Sequence, residues 1–203
     1  MTRLPASGLW LALAVLLATG CARQPVAPDI EDWSAHQALL QNLEHWHITG
    51  RLGLRVPEQN ASASVRWRQD RDDFHIDLSG PFGQGRTLIH GDQQHAVLEQ
   101  AGERPLTASS AETLLWDTTG WVFPVAQLTY WVKGIPAPFG PPAEVEHNSQ
   151  GWPERLTQAG WTLDYSRFQA VDGYPLPGRI VAQSGDIRLT LIIRQWQLPD
   201  AGD

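Results

Sequence analysis

Two histidines one residue apart, His45 and His47 around Trp46, are the first pair in this chain with the chemistry of metal ligands. A single intervening residue is expected to set the two rings on different sides of a helix or strand, so surface histidines are the cheaper reading. The zinc-protease spacing H-E-x-x-H does not occur. Asp70, Asp72 and Asp73, with His75 nearby, offer carboxylates for a cation or for acid–base work on a hydrolysable bond. A solvated turn over Gln69–Asp72 explains them more simply. Neither a G-x-S-x-G elbow nor a P-loop is present. Gly80-x-x-Gly83-x-Gly85 resembles a phosphate-cradling run in spacing only: it links two strand-like segments and opens no helix. Arg51, Arg55, Arg66 and Arg68 fall on the polar faces of strands, where charge is expected and a basic ligand patch is the alternative. No cofactor and no metal are expected, and an enzyme would lack a visible acid–base pair.

What remains is the chemistry of apolar surfaces. Leu9 to Thr19 is an apolar run too short to span a bilayer and of the length of a signal-peptide core. It ends in Leu17-Ala18-Thr19-Gly20-Cys21, and Cys21 is the only cysteine among 203 residues. The pattern is similar to the processing site of bacterial lipoproteins, with Ala18 where leucine is favoured. That assigns residues 1–20 to a signal peptide, makes Cys21 the acylated first residue of the mature chain, and makes 21–29, with Pro25 and Pro28, a tether. The alternative is an ordinary signal peptide beside a stray thiol. Ala22 stands where aspartate would mark inner-membrane retention in enteric-type sorting, so export to the outer membrane is expected. With 15 Lys+Arg against 22 Asp+Glu, the chain is a poor candidate for nucleic acid. Ten tryptophans, nine once Trp10 leaves with the signal, point to a large core or to the lining of an apolar cavity.

Phe82 is the other apolar group in an unusual place. It sits at the tip of Gly80-Pro81-Phe82-Gly83-Gln84-Gly85, where glycine and proline serve the turn and an aromatic does not. Either it is exposed for contact with another apolar surface, or it folds back as a plug on the rim of the fold.

The elements that must position these groups follow from periodicity. Ile30 to Trp46 reads as a helix, with Asp29 or Asp32 as cap and a stripe of Trp33, His36, Leu40, Leu43 and Trp46. From Ile48 the period changes to two, and short strands separated by turns form an antiparallel meander through Thr107. Within it, Phe74, Ile76 and Leu78 oppose His75, Asp77 and Ser79. Ser109-x-x-Glu112 predicts a capping box before a helix over Ala111–Asp117, ended by Gly120. Pro124 at a first helical position begins another helix, stopped by Gly134. Two such helices would cover the open face of a sheet. Ile135–Pro142 and Tyr174–Pro177 read as rigid links. Strands resume at 143–147, 154–158 and 161–166, and a hairpin over 179–183 and 187–196 closes the chain. One domain is expected over 30–199, with 200–203 as a tail.

The ordered set of Trp33, Gly50-Arg51, Trp67-Arg68-Gln69, Gly80-Pro81-Phe82-Gly83, Pro124-x-x-x-Leu128-x-x-Trp131-x-x-Gly134-x-Pro136, Gln158-x-Gly160-Trp161-x-x-x-Tyr165, Leu176-Pro177 and Trp196 resembles the LolB family of outer-membrane lipoprotein receptors, over nearly the whole chain. The resemblance implies a mainly β (α+β) fold: an open antiparallel β-barrel of about eleven strands, with short helices as a lid over an apolar cavity. It implies a receptor that accepts lipoproteins from a LolA-type periplasmic carrier, binds their acyl chains and inserts them into outer-membrane lipid. Such a chain is expected to act as a monomer, without catalysis, anchored on the periplasmic face. The family's membrane-insertion loop falls on Gly80, Pro81, Phe82 and Gly83, with Phe82 in place of the usual leucine. Trp67, Trp131, Trp161 and Trp196 fall on family positions at or near the acyl-chain cavity, ordinary core being the alternative, above all for Trp196. The rival function is a non-transport outer-membrane lipoprotein serving as an assembly or scaffold subunit. An envelope sensor is a weaker rival, since such proteins usually carry a second domain, and so is a hydrolase using Asp72 or Asp73 with His75.

Overall fold

The computed structural model describes residues 27–57, 59–80 and 85–198. Alternating sequence becomes one eleven-stranded antiparallel sheet in the order β6-β5-β4-β3-β2-β1-β13-β12-β9-β8-β7. The strands are β1 (His45–Val56), β2 (Gln59–Asp70), β3 (Asp73–Ser79), β4 (Thr87–Gly91), β5 (Ala96–Gln100), β6 (Leu106–Ala108), β7 (Glu144–His147), β8 (Pro153–Gln158), β9 (Trp161–Ser166), β12 (Arg179–Ser184) and β13 (Ile187–Gln197). The first six form the expected meander; the rest return on the other side of β1. Because β6 and β7 are both edges, the sheet stays open.

β1 and β13 meet at the centre, from His47↔Gln197 to Arg55↔Arg188, with the register shifting between Thr49 and Gly50. Such an irregularity bends and twists a strand pair. Gly50 lies so close to the Ile192 carbonyl that an added Cβ would collide with that oxygen, so only glycine fits the bend.

Among the described residues three helices lie on the concave face and its ends: α1 (Trp33–Gln41), α2 (Ala111–Thr119) and α3 (Val125–Trp131). α1 is shorter than the expected 30–46. Asp32 is its cap, accepting from the Ala35 N–H, and Asn42 ends it. His45 onward pairs with β2 instead, which carries Trp46 inward as part of a strand. Trp46 fits the helical stripe with Leu43 and the period of two with Ile48, and strand pairing decides between them. The two histidines therefore share the outer face of β1, against the expectation that they diverge. They still make no common site: His45 Nδ1 lies 2.9 Å from Asp70 on one side, and His47 Nδ1 lies 2.8 Å from Gln197 on the other.

The capping box shifts by one residue. Ser110, not Ser109, caps α2 by accepting from the Thr113 N–H. Glu112 turns away and accepts the Ala126 N–H at 2.7 Å, in the first turn of α3. Gly120 ends α2 in the left-handed region, at φ 72°, as a glycine there should. Pro124 is the residue before α3 rather than its first. Tyr174–Leu176 is not a plain link: as β11 it pairs with β10 (Gln169–Val171) in a separate two-stranded ribbon.

Candidate functional site

The concave face has two parts. At the α1 end it is filled. Trp46 of β1, Trp67 of β2 and Trp196 of β13 meet edge to face, with ring centroids 4.8 and 5.7 Å from Trp46. Their indole donors are satisfied locally: Trp67 Nε1 donates to Gln69 Oε1 and Trp196 Nε1 to the Pro177 carbonyl, each at 3.0 Å. Lys133 is buried here. Its ammonium donates to the Leu40 and Leu43 carbonyls, at 2.6 and 3.0 Å, where α1 ends. It also stands 5.2 Å from the Tyr130 ring. Desolvation pushes its pKa down to about 8, opposed by the carboxylate of Glu44.

From Trp67 toward the loop end the same face encloses a cavity of about 260 Å³. β1 supplies Leu52 and Leu54, β3 supplies Phe74, Ile76 and Leu78, β12 supplies Ile180 and Ala182, and β13 supplies Leu189 and Leu191. Leu115 and Thr119 of α2 and Leu128 and Trp131 of α3 cover it, with Trp121 and Phe123 between them. Among the described residues Thr119 is the only polar side chain in the lining without an aromatic ring. Among the described residues no titratable group faces the space, so their lining offers dispersion and exclusion of water rather than acid–base chemistry. Among the described residues no three His, Cys, Asp or Glu side chains gather as a metal site.

The lid is fastened at one end. Trp131 is wholly buried, and its indole donates to Gln158 Oε1 at 2.8 Å. Tyr165 Oη donates to the Trp131 carbonyl at 3.0 Å, and burial raises the phenol pKa well above its ordinary value. The Gln158 side chain also accepts the Ala137 N–H and donates to the carbonyls of Ala137, Phe139 and Pro141, so one buried amide holds both α3 and the proline-rich loop. At its other end the lid carries exposed Trp116 and Val122, and Glu112–Ala126 is the side-chain tie that joins the two helices.

The four tryptophans expected at the cavity divide. Trp67 and Trp131 line it. Trp161 is buried beside it, 6.1 Å from the lining residue Phe123. Trp196 lies behind Trp46 in the filled end. The aliphatic lining, notably Leu52, Leu54, Leu189 and Leu191, was not singled out from sequence, although the alternation that turns these side chains inward was visible. Of the residues expected to form an insertion loop, Gly80 follows β3 and is half-buried; Pro81, Phe82 and Gly83 lie outside the described residues, as does Cys21.

On the outer face, Asp77 is buried beneath two arginines. Arg86 Nη2 and Arg66 Nη2 both donate to its Oδ2 at 2.8 Å, and Arg86 Nε donates to Oδ1 at 3.2 Å. The hydrogen bonds from Arg86, and then those from Arg66, hold the Asp77 carboxyl below the usual carboxylate range despite its burial. The three aspartates Asp70, Asp72 and Asp73 are exposed about the β2–β3 turn, where the solvated reading placed them.

An open antiparallel sheet curled around a lidded, apolar-lined cavity defines a class of protein, one built to hold apolar groups away from water. Comparison with known proteins narrows the class. The family model described as outer membrane lipoprotein LolB matches residues 44–196. The outer-membrane lipoprotein LolB of Cellvibrio japonicus is 44% identical over 195 residues, covering 92% of this chain and 95% of the relative. That of Chromohalobacter salexigens is 42% identical, covering 94% and 90%. The fold is also similar to the crystal structure of a LolA superfamily protein from Nitrosomonas europaea, with a TM-score of 0.51 at 12% identity over 81% of this chain and 94% of that one. The chain belongs to the LolB family of outer-membrane lipoproteins.

Proposed function

We propose that this chain is an outer-membrane-anchored receptor that takes lipoproteins from a LolA-type periplasmic carrier, holds their acyl chains in the cavity and passes them into outer-membrane lipid. The observation that carries the reading is the cavity itself, about 260 Å³ and lined, among the described residues, by apolar side chains with Thr119. Keeping an acyl chain from water is worth about 0.8 kcal/mol per methylene, so an apolar space suffices and no covalent step is needed. Hand-over between two such spaces needs only a gradient, about 1.4 kcal/mol for each tenfold bias. A scaffold subunit would be served as well by a filled core.

The cavity lies just below the range of roughly 300–1,000 Å³ typical of pockets for drug-sized ligands. A lipid anchor with several chains therefore requires the lid to move outward. The pinned Trp131 makes the C-terminal end of α3 the fixed point, and α2 the part that travels. Acylated Cys21 anchors the chain through the 21–29 tether to a single domain spanning 30–199. Trp67 and Trp131 contact the acyl chains; Trp161 and Trp196 support the wall from behind. Phe82, between Gly80 and Gly85, enters the membrane and opens the way out for cargo. The receptor works as a monomer.

The test is a transfer assay. A LolA-type carrier loaded with a lipoprotein is mixed with vesicles bearing the mature lipidated chain, and cargo is followed by sedimentation without ATP. Cargo is expected to move to the vesicles; retention on the folded native carrier would sink the acceptor reading. With Phe82→Glu, cargo is expected to reach the receptor but to stay extractable from the membrane. Normal insertion at equal protein level would remove Phe82 from the mechanism.

A further inference from the structure

The cavity uses none of the guanidinium groups on the opposite face of the sheet. β1 turns Arg51 and Arg55 outward, and β13 places Arg188 directly opposite Arg55. Like charges in facing positions destabilise a strand pair. Neither has a carboxylate partner among the described residues; Arg55 meets Asn60 Oδ1 at 3.3 Å and Arg188 meets Gln183 Oε1 at 3.2 Å. Arg66 and Arg86 share the single carboxylate of Asp77, which leaves that trio one positive charge. Register carries the group to the loop end: Arg51 pairs with Ser64, which pairs with Ser79, where β3 stops. Asp186, in the turn before β13, and Glu99 of β5, whose carboxylate acts on Arg86, border the patch. The chain as a whole carries −7, and Asp29, Glu31, Asp32, Glu44, Asp70 and Asp73 lie at the opposite, α1 end.

We infer that Arg51, Arg55, Arg66, Arg86 and Arg188 form a docking surface for the phosphate-bearing headgroups of an anionic lipid bilayer, setting the sheet with its loop end against the membrane. The inference rests on the reading that this end faces the outer membrane. A protein partner would be expected to find a large apolar anchor in the patch. Among the described residues the exposed ones, Leu39, Leu106, Trp116, Val122 and Phe139, all belong to other elements, and Ile192, opposite Arg51, is half-buried. Between the arginines stand Gly53, Ser62, Ser64, Thr190 and the half-buried Ile192, a low floor that leaves the side chains of Arg66 and Arg86 63% and 58% exposed. Diffuse attraction to a charged lipid surface needs no more than this, at roughly fivefold in binding per arginine. The acidic end, repelled by the same surface, fixes the orientation.

The test uses the full lipidated chain in vesicles. Because Cys21 is the one cysteine and is consumed by its lipid, Ser62→Cys supplies a single thiol for a fluorophore on the patch, and Ser149→Cys a control at the far end. Vesicles carry a headgroup-attached nitroxide quencher, with or without phosphatidylglycerol. Quenching is expected at position 62 only, only with phosphatidylglycerol, and to vanish in about 0.5 M salt, where screening falls to a few ångströms. Arg51→Gln, Arg55→Gln and Arg188→Gln combined are expected to cut it by at least tenfold, with unchanged thermal unfolding. Equal quenching in neutral vesicles, or none lost in the triple variant, overturns the inference. So does competition by inorganic phosphate at constant ionic strength, which would mark an isolated anion site, or quenching that appears only on adding the carrier, which would mark a protein surface. Docking is read without cargo, so a failure of the transfer assay leaves this result interpretable.

Discussion

Along β1, the inward side chains change their surroundings within a few residues. Trp46 and Ile48 are 3% and 0% exposed, whereas Leu52 and Leu54 are only half-buried. β13 repeats the contrast, with Ile193 and Trp196 buried and Ile187, Leu189 and Leu191 half-buried. The residue types are equally apolar, so hydrophobicity does not separate the two regions. What separates them is what lies opposite. The α1 end is held by buried polar groups with fixed partners, namely Lys133, Gln158, Tyr165 and the indole donors. The loop end is faced by a lid whose two helices are joined through Glu112. Directional bonds fix one set of positions; apolar contact alone permits many. The molecule thus carries a rigid half that keeps its shape and a yielding half that makes room.

The comparison breaks most visibly if the shared post between the halves is removed. Trp131→Ala should cost about 3–5 kcal/mol in denaturant unfolding, as for other buried aromatic truncations. A loss under about 1 kcal/mol would mean that the filled end is not the rigid one. Next, the Lys133 ammonium, driven down to about 8 by burial, ties the α1 end to pH. Between about pH 8 and pH 10 the unfolded chain binds a proton that the folded chain has released, so stability should rise with pH across that window. Urea titrations in the wild type should show that rise, and Lys133→Met should flatten it. Glu112→Ala removes the tie between the lid helices and should cost only about 1 kcal/mol, comparable to losing a helix cap. Amide exchange should accelerate in α2 and leave β1 near Trp46 unchanged. The smallest effect on stability is expected from Leu189→Trp, which adds volume where space exists. It should cost less than about 1 kcal/mol, against the 1–3 kcal/mol of overpacking a filled core. It should also displace a fluorescent fatty-acid probe; retained probe binding would place the cavity elsewhere.

How much of this was readable beforehand depended on what kind of fact it was. Alternation at Phe74, Ile76 and Leu78 exposed the strand and the face it turns inward, because period two has one physical meaning over seven residues. Trp46 was misread as helical because it satisfies both periods, and only the pairing with Gln69 across the sheet breaks the tie. Ser109 and Ser110 are equivalent as cap candidates until Glu112 is seen to bond Ala126 instead. The β10–β11 ribbon was hidden by Pro175, which reads as a link although it pairs with Ala170. The family resemblance carried the tryptophans further than the residues did, yet it could not separate Trp67 and Trp131, which face the space, from Trp196, which does not. A cavity is a shortage of atoms between two elements distant in sequence. No residue type records it, and Leu52 or Leu191 would read the same in a solid core.

The pairing of β1 with β13 has a consequence for how the chain reaches this shape. These two central strands bring together residues as far apart as His47 and Gln197. Each flank of the sheet is a local meander that forms from neighbours, but the joint between the flanks must close a loop spanning most of the chain, which is slow. A chain entering the periplasm from its N-terminus exposes β1 first and completes its partner last. Until those final eleven residues of β13 arrive, the two flanks have no common floor, the bend at Gly50 has nothing to press against, and the space for lipid does not exist. The receptor therefore becomes competent in one late step, when β13 is laid beside β1.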